Sequence, residues 1–146
     1  LHIFIIYIRS LFQITKCFYI IMASEIKKQL LDELAYEISH TRKLRSQAKE
    51  VLTFAEVIKY EQELYTWTQR INPLIDKIYS NQPNFDFIVQ EFEKARKYFD
   101  NAGIVSFYQF KDIDHFIHKK RLRLRYNLGV LAATLKFGSK MVRKNF

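Results

Sequence analysis

The chain has 146 residues, 49% apolar and 27% charged, with three glycines, two prolines and a single cysteine. That length suits one domain with a real core, and the composition leans toward long helices and away from disorder. Cys17 excludes an intramolecular disulfide and any cysteine-based zinc cluster, so the fold stands on packing alone.

The formal charge of +9 is unevenly spread. Residues 104–146 carry ten basic side chains against two acidic ones, whereas residues 25–103 are nearly balanced. A basic end of this kind attracts phosphate, lipid or acidic protein partners.

Residues 1–21 form an apolar run interrupted by Arg9, Gln13 and Lys16, with no acid before Glu25. A membrane span needs about 20 apolar residues, and each cation near its centre costs roughly 2.5–3.5 kcal/mol. The order of a secretory signal, cations first and a small-residue cleavage site last, is missing. The sequence therefore divides into residues 1–21, read as a leader, a targeting segment or upstream sequence read through in frame, and a single helical domain over 22–146. Met22-Ala23-Ser24-Glu25 supports that division, because it reads as an ordinary start followed by a Ser24 helix cap with acid in the first turn.

Neither Pro nor Gly interrupts residues 24–71, so a first helix of more than forty residues is expected, with or without a slight break. Leu44, Ala48, Val51, Ala55, Ile58, Gln62 and Tyr65 step as a heptad seam. Upstream, Ile26, Leu30, Leu34 and Ile38 step by four, which places a change of phase and a bend near residues 39–41. Asn72-Pro73 should end this helix or open a short new one. Ser80-Asn81-Gln82-Pro83-Asn84 reads as a loop. Asn84 then caps a third helix carrying Phe85, Ile88, Phe92, Ala95 and Phe99, closed by Gly103.

The final segment is expected to be helical from about Ser106. Phe110, Ile113, Ile117, Leu124, Leu128, Leu131 and Leu135 make its core stripe, and Leu122, Tyr126, Val130, Ala133 and Phe137 form a second apolar line roughly opposite. The alternation Arg121-Leu122-Arg123-Leu124-Arg125-Tyr126 also has strand period, but the longer stripe on either side favours helix. The fold class is therefore all-α: an elongated antiparallel helical bundle with a long coiled-coil-like first helix and a long basic last helix.

Catalytic chemistry finds little footing. Asp112, Asp114, His115 and His118 supply two-residue half-sites at helical spacing. Di-metal bundles, however, take a Glu-x-x-His motif from each of two helices, and only Glu37-Ile38-Ser39-His40 fits. The plainer reading is acids in the first turns of a helix and histidines on its surface. Glu91 and Glu93, as acid or base, sit on a helix whose apolar face turns the other way. No nucleophile elbow or Gly-rich phosphate loop is present. The expectation is a non-enzymatic protein without cofactor, metal or small-molecule substrate.

The basic tract is the best functional signal. Lys119, Lys120, Arg121, Arg123 and Arg125 are the expected anion- or phosphate-binding residues, and Leu122, Tyr126, Val130 and Phe137 the expected partner-binding residues. Together they suggest a basic helical accessory or scaffold subunit of a larger, membrane-associated assembly, bound to other protein subunits and to anionic lipid or RNA. An intracellular, mitochondrial setting fits the acid-free start. The alternative is an RNA-binding or ribosome-associated protein acting through residues 119–125.

Overall fold

A computed structural model describes residues 2–51, 53–80, 82–100 and 112–146. Among them are four α-helices and no strand: α1 (His2–Glu50), α2 (Phe54–Tyr79), α3 (Asp86–Asp100) and α4 (Ile113–Asn145), with a short 3₁₀ turn, Pro83–Phe85, leading into α3. The protein is an all-α helical bundle. The expected start of the last helix near Ser106, its Phe110 and the closing Gly103 lie outside the described residues.

Helix directions follow from side-chain pairs along the helices. Glu37 of α1 meets Arg70 of α2, and Leu44 meets Tyr60, so α1 and α2 run antiparallel. Lys27 donates to the Arg143 carbonyl at 3.0 Å, while at the other end Arg121 donates to the Val51 carbonyl, so α1 and α4 are antiparallel as well. Phe85 packs edge-on against Phe137, and Tyr98 lies under the Lys120 ammonium, which sets α3 antiparallel to α4. The helix α4 packs against the other three, and Leu124, Leu128, Leu131 and Leu135 are fully buried there. Ile113, expected in the same stripe, is instead 49% exposed, because Asp112 caps the helix and leaves Ile113 in its first turn at the rim.

The first helix departs from the sequence expectation at three places. It runs without a break through Met22 and Ser24, so Ser24 is an interior residue and no cap. It does not change phase near residues 39–41. Leu30, Leu34, Glu37, Thr41, Leu44, Ala48 and Val51 are all buried and step 4, 3, 4, 3, 4, 3. Two polar residues occupy this seam, and both are satisfied: Thr41 bonds the Glu37 carbonyl at 2.8 Å, and the Glu37 carboxylate takes the indole N–H of Trp67 and the guanidinium of Arg70.

The break comes later. Thr53 takes up extended backbone (φ −116°, ψ 160°), and its hydroxyl accepts the Glu56 N–H at 3.2 Å, starting α2 with the Thr-x-x-Glu spacing of a capping box. That break shifts the phase of everything after it. The downstream half of the expected seam, Ala55, Gln62 and Tyr65, faces water, with Ile58 half-buried, while Val57, Tyr60, Leu64, Trp67 and Ile71 face the core.

Helix α2 also continues through Pro73 to Tyr79. A proline in a helix interior costs about 3 kcal/mol, but burial of a large apolar side chain returns roughly 1.5–3 kcal/mol each. Leu74, Ile75, Ile78 and Tyr79 are all buried beyond it. Core contact thus outweighs the local breaker.

Candidate functional site

The chemistry-bearing surfaces of this protein lie at opposite ends of the bundle. One is the apolar half of α1. Every residue from His2 to Ile26 is exposed, and the first buried position is Leu30. At about 1.5 Å per residue, the exposed segment 2–26 runs roughly 37 Å out from the level of Lys27, where α1 meets the last turn of α4. Ile3 is 85% exposed, Phe12 71% and Tyr19 74%, and Ile5, Ile6, Ile14, Phe18, Ile20 and Ile21 are exposed as well. By length and composition this stretch can cross a membrane, with none of its apolar window buried inside the protein. Arg9, Gln13 and Lys16 fall within an arc of about 60° at the helical repeat, so the two cations and Gln13 share one face; Ser10 and Thr15 lie to either side of it, the Thr15 hydroxyl donating back to the Leu11 carbonyl.

The other surface is the first half of α4. Asp112 caps this helix, accepting the His115 N–H at 2.7 Å, so one acid of the expected half-sites serves the backbone. Asp114 and His118 are exposed. Among the described residues no three His, Cys, Asp or Glu side chains are grouped to hold a metal ion. The two carboxylates weighed for acid/base work and read as solvated, Glu91 and Glu93, pair with Lys94 and Arg96 one turn along α3.

The fold divides the basic tract. Lys119, Arg123 and Arg125 are exposed. Lys120 turns inward, its ammonium 2.8 Å from Glu61 Oε1 and lying over the rings of Tyr98 and Phe116. Arg121 is half-buried and bonds the Val51 carbonyl, closing the end of α1. Two of the five expected anion-binding residues are therefore engaged within the fold, a correction to the sequence reading, which counted charge without seeing which side of the helix faced Glu61.

The apolar line divides too. Leu122 and Tyr126 are 47% and 69% exposed, beside the three exposed cations. Val130 and Phe137 pack against the core, Phe137 with its ring 5.3 Å from that of Phe85. The structure thus brings together Lys119, Leu122, Arg123, Arg125 and Tyr126, and leaves Val130 and Phe137 outside that group.

A third feature escaped the sequence reading. Between α1 and α2 lies a groove of about 520 Å³ whose lining includes His40, Lys43, Lys59, Trp67 and Arg70. Tyr36 stacks on His40, whose other neighbour is the Trp67 ring, and Arg70 bridges to Glu37 at 2.9 Å. Burial holds His40 below its ordinary pKa, helped by the Arg70 guanidinium, opposed by Glu37 and helped again by Lys43. The signal was present in sequence as a Glu at a heptad position, which requires partners once buried. Comparison of the chain with protein-family models, curated proteins and solved structures finds no match.

Proposed function

We propose that this protein is a membrane-anchored, non-enzymatic scaffold or accessory subunit: the apolar half of α1 lies in the bilayer, and the α4 surface at the far end of the bundle docks other protein subunits. The observation that carries this reading is the exposure of a whole apolar helical stretch long enough to cross a membrane. Water does not tolerate so large a contiguous apolar surface without a partner, and about 20 helical residues match a hydrocarbon core of about 30 Å. Arg9 and Lys16 stand roughly a third of the way in from either end of residues 2–21, from where long side chains snorkel toward the headgroups. A mitochondrial membrane fits the acid-free, cationic start.

The test is flotation with lipid vesicles followed by an alkaline carbonate wash. The full chain should stay with the vesicles, and Ile8→Asp/Phe12→Asp/Phe18→Asp should be released while keeping its helical signal. Release of the unsubstituted chain sinks the anchor.

The exposed stripe of α4 supports a second reading, RNA binding through Lys119, Arg123 and Arg125 with Tyr126 available to stack. Binding to a single-stranded RNA that weakens steeply with salt, and is lost in Lys119→Glu/Arg123→Glu/Arg125→Glu, supports RNA. Salt-insensitive protein association, lost instead in Leu122→Ser/Tyr126→Ser, supports the scaffold.

A further inference from the structure

The apolar rod leaves the bundle at its other cationic end. Lys27, one and a half turns past Met22, bonds the Arg143 carbonyl at 3.0 Å, which fixes the last turn of α4 level with the point where α1 emerges. A cavity joins Ile26, Gln29, Leu30 and Glu33 of α1 to Lys77 of α2 and to Phe146, so the end of α2 reaches the same rim. Lys28, Lys77, Lys140, Arg143 and Lys144 are all exposed there. The carboxylates at this end are Glu25, Asp32 and Glu33 of α1, Asp76 of α2 and Asp86, which opens α3 beside the Phe85–Phe137 contact, and of these Glu25 alone precedes Lys27 on the side of the apolar segment. From Lys136 to Lys144, α4 carries four cations and no acid.

Cations in a last helical turn are favoured by the helix dipole on their own account. That explanation does not require a membrane-length apolar helix to emerge at the same level. We infer that these side chains form a collar that rests on anionic phospholipid headgroups, with the bundle seated on the more negatively charged leaflet. This rests on the anchor reading above and adds a ligand to it. Juxtamembrane clusters of this size bind anionic lipid, and an excess of Lys and Arg beside a span sets its orientation.

The same geometry removes lipid as a ligand of the tract at 119–125. Arg123 and Arg143 are twenty residues apart on one unbroken helix, α4, about 30 Å, against a screening length of about 8–10 Å in physiological salt. The distal stripe is out of reach of the surface on which the collar sits, and its partner is soluble or is another subunit.

The experiment reconstitutes the full chain in phosphatidylcholine vesicles containing spin-labelled phosphatidylglycerol or spin-labelled phosphatidylcholine and measures which is enriched at the protein boundary. The expected result is a several-fold preference for phosphatidylglycerol at low salt. It should fall toward parity in Lys140→Gln/Arg143→Gln/Lys144→Gln and when salt is raised to about 0.5 M, where screening shortens to a few ångströms. It should persist in Lys119→Gln/Arg123→Gln/Arg125→Gln, which loses the same charge. Equal enrichment of the two lipids around the unsubstituted chain overturns the collar while leaving the anchor, as does a preference lost only in the distal variant. A chain that does not float with vesicles overturns the anchor itself. The salt arm needs no substitution and stands even where a variant misfolds.

Discussion

The ammonium of Lys120 lies 2.8 Å from Glu61 Oε1, and the two side chains are 7% and 1% exposed, so a salt bridge ties α2 to α4 out of contact with water. The Tyr98 hydroxyl reaches the same oxygen at 3.4 Å from α3, and burial, then the Glu61 charge, push its pKa up. Three helices meet at one carboxylate. Removing one partner strands a buried charge, which costs about 3–5 kcal/mol, whereas replacing both with apolar groups of similar size is often neutral. Urea unfolding should therefore show Lys120→Met strongly destabilised and Glu61→Leu/Lys120→Met close to the starting protein. Equal losses in the single and the double variant would contradict the pair.

The two described glycines of α4 should respond in opposite ways. A Cβ at Gly129 meets nothing within 4 Å, so Gly129→Ala should stabilise by about 0.5–1 kcal/mol through helix propensity. At Gly138 a Cβ already falls 3.3 Å from Ile78 Cδ1 and 3.4 Å from the Tyr79 hydroxyl, which itself donates to the Thr134 carbonyl. Gly138→Leu should cost about 1–3 kcal/mol or more by overpacking the α2–α4 contact. Thermal unfolding of the two variants checks both signs.

Arg9 and Lys16 oppose insertion of the apolar rod. Each cation costs up to about 3 kcal/mol on insertion scales, less where it snorkels. Arg9→Leu/Lys16→Leu should raise the fraction of chains that cross the bilayer, measured by glycosylation mapping in microsomes. An unchanged fraction would mean that the helix lies elsewhere than across the membrane.

His40 gives a pH signature. Its pKa is held below 6.5 in the fold, chiefly by burial and by Arg70, so between the folded and unfolded values the unfolded chain binds more protons. The stability this residue contributes is then complete above 6.5 and declines as pH falls through 6.5 and below. On acidification from about pH 7.5 to 5, the histidine-specific window, the native protein should lose stability relative to His40→Gln. A difference that stays constant with pH would rule out this coupling.

Much of this fold was legible in the residues, and the failures share a cause. The heptad from Leu30 to Val51 was readable only by admitting Glu37 and Thr41 to it. A reading by hydrophobicity skips polar seam positions and invents a change of phase to step around them. The break at Thr53 is written as Thr-x-x-Glu, with neither Gly nor Pro to fix its place among the breaks the sequence allows. Pro73, by contrast, reads locally as a helix end or a new start, because a local rule cannot weigh the four buried side chains beyond it.

Sequence by itself determined the all-α class, the apolar run at one end, the leucine stripe of α4 and the basic character of the last third, because periodicity and charge are properties of the chain; that the run continues α1 as one helix was decided by the structure. Only the tertiary structure decided which cations are available and which ends meet. Lys120 and Arg121 turn inward because Glu61 and the Val51 carbonyl await them there. Lys140, Arg143 and Lys144 stand beside the emerging apolar helix because α1 and α4 run antiparallel. Those pairings join residues 59, 70 and 116 positions apart, a separation at which no local pattern carries information and packing alone sets the neighbours.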